Sequence, residues 1–225
     1  PKNEQGLFGH VTAQFGESYV LHTPKALRNA LRSGGLRVNH PCKAGPFYLL
    51  MPINTQPEMI SPLNLEALPG LPNFPLTSVS DNEQLEKAEK LIRNTSKVVI
   101  KAGGGSCNFA EKVKQLAETC GIPVILSPGS TGVLPDQHPL NMHVGGSKGS
   151  ISGNYAMANA ELLVVIGSRA VCQSDCSGIG YEKVTDVINL NYDLIDVAHY
   201  NKTVLLPGDI GATLDKLLQI FKKAP

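Results

Sequence analysis

From Asp81 onward the chain alternates between helical and strand periodicity, and most of its strand segments are apolar at nearly every position. A strand with no polar side must be covered on both faces, which is the situation of a parallel sheet with helices packed above and below. The spacing predicts a helix over residues 81–94, with Leu85, Ala88, Leu91 and Ile92 on one face, then a strand over 97–102. A glycine loop follows, then a helix over 108–120 stopped by Gly121, and a strand over 123–127. Beyond a long Gly/Pro loop come a short helix over 152–160 and strands over 161–166 and 184–190. A short helix over 194–200, a strand over 203–206 and a helix over 210–222 finish the chain. The expectation is an α/β domain over 81–225 with a doubly wound parallel sheet of five or six strands.

Two other regions precede it. Residues 57–80 contain Pro57, Pro62, Pro69, Pro72 and Pro75. Proline fixes φ and removes an N–H donor, so this stretch is expected to be an extended, semi-rigid connector. In residues 1–56, Thr23 as N-cap and Pro24 in the first turn predict a helix carrying Ala26, Leu27, Ala30 and Leu31, ended by Gly34-Gly35. After Gly45-Pro46, the apolar run Phe47-Tyr48-Leu49-Leu50-Met51 closed by Pro52 predicts a buried strand. One helix and one strand cannot enclose a core, so residues 1–56 are expected to be the end of a domain. The chain opens on Pro1 with no initiator methionine and no apolar leader, so either a piece of a longer polypeptide or a processed chain is expected.

Composition narrows the partners. Net charge is +1 and no basic run exceeds Lys222-Lys223, which argues against nucleic acid. The absence of tryptophan and the 5% aromatic content argue against base stacking. No apolar stretch approaches the roughly 20 residues that span a bilayer. The five cysteines are odd in number and irregularly spaced, an expectation of reduced thiols in the cytoplasm.

In a Rossmann-like sheet, ligands gather at the carboxyl ends of the strands, where the strand order reverses. Gly103-Gly104-Gly105-Ser106 follows the first strand, and the helix expected from Asn108 would aim free N–H groups at it. The loop is either a nucleotide or phosphate contact or simply a turn, since it matches neither G-x-G-x-x-G nor a P-loop. Gly167-Ser168-Arg169 follows a later strand; Arg169 suits a phosphate or a salt bridge to a neighbouring domain. Asn189, Asn191 and Asp193 stand where a ribose-binding carboxylate often sits. The Gly/Ser-rich loops at 127–132 and 145–150 are expected at the same edge, with Lys148 solvated.

Other chemistries fare poorly. Cys172-x3-Cys176, with Asp175 between, has no second pair, and His138, His143 and His199 lack ligand spacing, so no metal site is expected. Gly145-Gly146-Ser147-Lys148-Gly149 matches G-x-S-x-G, but a Pro/Gly loop is expected before it and more glycine follows, so no catalytic nucleophile is assigned.

Taken in order, these pieces resemble the central domain of thiamine diphosphate-dependent enzymes, the family of acetolactate synthase, pyruvate oxidase, benzoylformate decarboxylase and a trihydroxycyclohexanedione hydrolase. The resemblance runs through Lys97-Val98-Val99-Ile100-Lys101-Ala102-Gly103-Gly104-Gly105, Leu116-Ala117 and Gly121-Ile122-Pro123-Val124. It continues through Gly132, Pro135, His138-Pro139, Gly149-Ser150, Asn154 to Ala160, Gly167-Ser168-Arg169 and Ile188-Asn189-Leu190. Gly45-Pro46-Phe47-Tyr48-Leu49-Leu50-Met51-Pro52 looks like the last strand of the family's pyrimidine-binding domain.

The resemblance implies thiamine diphosphate and Mg2+ in the parent enzyme, but not bound by this piece. The catalytic glutamate of the family would precede Pro1, and its Gly-Asp-Gly…Asn motif is not matched, since Gly208-Asp209 is followed by Ile210. It implies a central domain that holds FAD, an ADP group or nothing, with Gly103, Gly104, Gly105, Ser106, Gly167, Ser168, Arg169 and Asn191 as the contacts. FAD-binding members carry Arg-Phe-Asp-Asp-Arg where this chain reads Arg169-Ala170-Val171-Cys172-Gln173. Partners would be the remaining domains of the same polypeptide, in a homodimer or homotetramer. The alternatives are a self-sufficient dinucleotide-binding regulatory module and a purely structural interaction domain.

Overall fold

The structure is a computed structural model that describes residues 2–40, 44–72, 81–170, 180–200 and 202–223. It divides into two compact units, Pro1–Pro75 and Leu76–Pro225.

The second unit is a six-stranded, wholly parallel sheet built from β3 (Val98–Ala102), β4 (Val124–Leu126), β5 (Asn141–Val144), β6 (Leu162–Ile166), β7 (Asp186–Asn191) and β8 (Thr203–Pro207). Their spatial order is β5-β4-β3-β6-β7-β8. The chain enters at the middle, works out to one edge, then returns beside β3 and works out to the other. That is the doubly wound order, and its reversal point lies between β3 and β6.

Every residue of β3, β4 and β6 is buried, which is why those segments read as unbroken apolar runs. Val98, Ile100 and Ala102 face one layer, formed by α4 (Asn82–Asn94), α5 (Ala110–Cys120) and α8 (Ile210–Lys223). Val99 faces the other, where Ala156 and Met157 of α6 (Ile151–Asn159) pack on Leu163 and Val165. Each such aliphatic side chain withdrawn from water contributes about 1.5–3 kcal/mol before the entropy of ordering is subtracted. A short α7 (Leu194–Val197) joins β7 to β8.

The helix ends follow local chemistry. Asp81 accepts from Gln84 N–H at 2.8 Å and caps α4, and Gly121 closes α5 with φ +65°. The strand that periodicity missed is β5. Its sequence, Asn141-Met142-His143-Val144, sits at the sheet edge, pairs with β4 through an irregular register and presents no apolar run to detect.

The first unit holds α1 (Lys2–Thr12), β1 (Glu17–Val20), α2 (Leu27–Val38), β2 (Phe47–Leu50) and α3 (Pro62–Glu66). Sequence pattern anticipated only α2 and β2. The partner strand β1 runs parallel to β2, pairing Glu17 with Phe47 and Val20 with Leu50. Thr23 makes no side-chain cap; a 3-10 turn at Pro24–Ala26 leads into α2 instead.

Nor do Gly34 and Gly35 end that helix, which continues to Val38. Gly34 is a packing glycine: a Cβ there would lie 2.8 Å from Cδ1 of Phe47. β2 is half-buried along its length rather than fully buried. Within the proline-rich stretch α3 is a short helix, and residues 73–80 lie outside the described residues.

Candidate functional site

The carboxyl ends of β3 and β6 bring the two glycine loops together at the reversal point. Gly103 N–H donates to Ile166 O at 2.8 Å, and Gly105 N–H donates to Gly167 O at 2.9 Å. Gly167 N–H donates in turn to Leu190 O at 2.9 Å, tying in β7. The contact is backbone on backbone. A Cβ on Gly103 would stand 2.4 Å from both Gly167 O and Ser168 Cα. Gly167 itself holds φ +61°, a conformation that glycine adopts without penalty.

Ser106 is fully buried; its Oγ and its N–H both donate to Gly103 O, at 2.7 and 3.0 Å. Ser168 is also buried, and its Oγ accepts from Ala170 N–H at 3.2 Å. Asn191 lies beneath this loop. Its Nδ2 donates to Ser168 O at 2.9 Å and its Oδ1 accepts from Asp193 N–H at 3.2 Å.

Gly103, Gly105, Ser106, Gly167, Ser168 and Asn191 thus meet in one hydrogen-bonded knot. Gly104 lies on its rim, exposed, and Arg169 is exposed as well. The knot extends toward β4: Ser130 Oγ donates to Ala102 O at 2.7 Å, and Ser127 N–H reaches the same carbonyl at 3.0 Å. The sequence reading did not single out Ser130; the Ser-x-x-Ser capping spacing from Ser127 was the available signal.

Several expectations shift here. Residues Gly104–Phe109 form a 3-10 helix with Gly103 at its N-cap, and α5 follows from Ala110 instead of beginning near Asn108. Asn189 is fully buried and its Nδ2 donates to the carbonyls of Asp196 and Val197, so it braces α7. Asp193 caps α7, with its Oδ1 accepting from Ile195 N–H at 2.8 Å.

Ser147 has more of a strand–turn–helix frame than expected, since β5 ends at Val144 and α6 starts at Ile151. That strand is a partly exposed edge rather than a buried centre, and Ser147 itself is exposed. Lys148 is exposed too. Cys172, Asp175 and Cys176 lie outside the described residues. Among the described residues no group of three or more His, Cys, Asp or Glu side chains could hold a metal ion.

Asp209 of Gly208-Asp209-Ile210 is 3% exposed, and both its carboxylate oxygens are engaged. Oδ1 accepts from Ala212 N–H at 2.6 Å and Oδ2 from Tyr192 Oη. This aspartate is built into the start of α8 and is not offered to a cation.

One lysine is buried deeply on the α6 side of the sheet. Lys101 is 1% exposed, and its Nζ lies 5.4 Å from the centre of the Tyr181 ring. Nearby, burial and then the neighbouring Tyr181 push the Tyr200 phenol well above its ordinary value.

The family model described as thiamine pyrophosphate enzyme, central domain, matches residues 85–217. The chain is 24% identical over 198 residues to the acetolactate synthase isozyme 1 large subunit of Escherichia coli, covering 86% of this chain and 34% of that protein. It is 29% identical over 155 residues to the acetolactate synthase large subunit of Corynebacterium glutamicum, covering 68% and 25%. It is 29% identical over 171 residues to the probable acetolactate synthase large subunit of Methanocaldococcus jannaschii, covering 73% and 28%. The chain therefore spans about a third or less of the length of these relatives.

Proposed function

Because the chain belongs to the thiamine pyrophosphate enzyme family through its central domain, we propose that it is part of a larger acetolactate synthase-like enzyme. The observation that carries this reading is the match over residues 85–217, which coincides with the doubly wound sheet. The parent would make or break a carbon–carbon bond beside a carbonyl, or hydrolyse a cyclic dione. Thiamine diphosphate, when bound with Mg2+, supplies the stabilised carbanion chemistry such reactions need.

This chain's share is to hold and brace. Asp209, the residue nearest in sequence to a diphosphate-and-metal motif, is engaged by Tyr192 and by the start of α8. No described residue is assigned a catalytic or metal-binding part. The first unit is read as the end of the pyrimidine-binding domain. Its two parallel strands are too few to form a stable sheet, and Leu7, Phe8, Val11 and Phe15 stand exposed beside them. The partners are the remaining domains of the same polypeptide, assembled in the cytoplasm as a homodimer or homotetramer. No described helix is long and apolar enough to cross a membrane.

Thermal unfolding of the 225-residue chain tests the division of labour. Thiamine diphosphate with Mg2+ should leave the melting temperature unchanged, because a ligand stabilises only a state that binds it. A rise of several degrees would place the cofactor site within this chain and overturn the reading.

A further inference from the structure

We infer that the crevice at the strand-order reversal is closed by the chain's own backbone, so that this domain holds neither FAD nor an ADP group and serves its parent as a scaffold. The inference narrows the role proposed above and rests on that reading for its biological meaning.

A dinucleotide at this place in a doubly wound sheet needs three things: free loop amides for the pyrophosphate, close approach of a glycine backbone, and an acceptor for the ribose hydroxyls. Of the five amides of Gly103, Gly104, Gly105, Ser106 and Gly167, four are spent: those of Gly103, Gly105, Ser106 and Gly167 donate to Ile166 O, Gly167 O, Gly103 O and Leu190 O, while Gly104 lies on the exposed rim. The glycine backbone is approached closely, but by the other glycine loop. A Cβ on Gly103 would lie only 2.4 Å from Gly167 O, so main chain fills the space between the two loops.

The ribose position is occupied by Asn191, 7% exposed, whose amide is bonded at both ends. Asp193, the nearby carboxylate, is turned into the cap of α7. Among the described residues of the two glycine loops Arg169 is the cation, exposed to solvent, and a single exposed arginine attracts a phosphate without holding a nucleotide. The glycines that look like a phosphate cradle in the sequence are thus explained by the contact between β3 and β6. They let two main chains touch where side chains would force them apart.

The test uses the 225-residue chain, shown to be folded by a single cooperative melt. FAD, ADP and NAD are titrated separately by calorimetry to about a hundredfold excess over a micromolar dissociation constant. Hydrogen exchange is followed at Gly103, Gly105, Ser106 and Gly167. The expected result is no saturable binding of any of the three, with those four amides exchanging at least about tenfold more slowly than in an unstructured peptide. Micromolar binding of any nucleotide overturns the inference, as does exchange of those amides at unprotected rates. Neither outcome touches the reading that the thiamine diphosphate site lies outside this chain, which fails only if thiamine diphosphate with Mg2+ raises the melting temperature.

Discussion

The side-chain amide of Asn191 donates to the main-chain carbonyl of Ser168 at 2.9 Å, joining the end of β7 to the loop after β6. The two residues are 23 apart in sequence, and both are buried. Asn191→Asp keeps the shape but removes the donor and sets a carboxylate against a carbonyl oxygen. The expected loss is about 2–3 kcal/mol, read as a lower urea midpoint at unchanged slope. Although the new carboxylate is the usual ribose-binding group at this place, the variant should still bind no nucleotide by calorimetry.

Adjacent glycines in the same loop should respond in opposite ways. An alanine Cβ at Gly103 would meet Gly167 O and Ser168 Cα at 2.4 Å, and main-chain atoms cannot step aside cheaply. Gly103→Ala is expected to cost about 3 kcal/mol or more. At Gly104 the nearest atom would be Gly129 O at 3.7 Å, an ordinary contact, and Gly104→Ala should stay within about 0.5 kcal/mol of the parent. Paired urea melts of the two variants check the contrast.

Asp209 joins two elements through one carboxylate, accepting from Tyr192 Oη at the end of β7 and from Ala212 N–H in the first turn of α8. Asp209→Ala removes a helix cap and a buried acceptor together, with an expected loss of about 2–4 kcal/mol. Tyr192→Phe removes a single donor and should cost about 1 kcal/mol. If the two variants lose equal stability in denaturant melts, the cap contributes nothing.

Stability should fall at alkaline pH through Tyr200. Burial raises its folded-state pKa above the ordinary tyrosine value of about 10, so the folded chain keeps the proton longer than the unfolded chain does. The contribution is fully present below about pH 10. It is lost as pH rises above that value, because the unfolded state then releases a proton that the native state retains. Tyr200→Phe should flatten this alkaline limb in urea melts between about pH 8 and pH 11, leaving the neutral-pH slope unchanged.

Much of the second unit could be read in advance because its strands are buried on both faces. Val98–Ala102 and Leu162–Ile166 announce themselves as apolar runs, and Asp81 and Gly121 mark helix ends with side-chain and backbone chemistry of their own. β5 escaped because an edge strand with a buried asparagine and an exposed histidine has no apolar period. β1 escaped for a related reason: Glu17-Ser18-Tyr19-Val20 is mostly exposed, and only its pairing with β2 makes it a strand. Gly34-Gly35 misled because glycine stops a helix only where the chain must turn, whereas Gly34 is there to let Phe47 approach. The two glycine loops do lie at the carboxyl ends of β3 and β6, as their place after apolar runs implies. The amides spent between them could not be seen, since each bond joins segments far apart in the chain.

The glycine loops show where the two kinds of information divide. Sequence alone determined that Gly103-Gly104-Gly105 and Gly167 sit at the carboxyl ends of parallel strands, because buried apolar runs separated by helices permit few other arrangements. Only the tertiary structure decided what those glycines do. The order β5-β4-β3-β6-β7-β8 sets β3 beside β6, and that adjacency turns two permissive loops toward each other. Backbone amides bond whatever carbonyl the fold delivers, and here it delivers Ile166, Gly167 and Leu190 before any ligand could arrive.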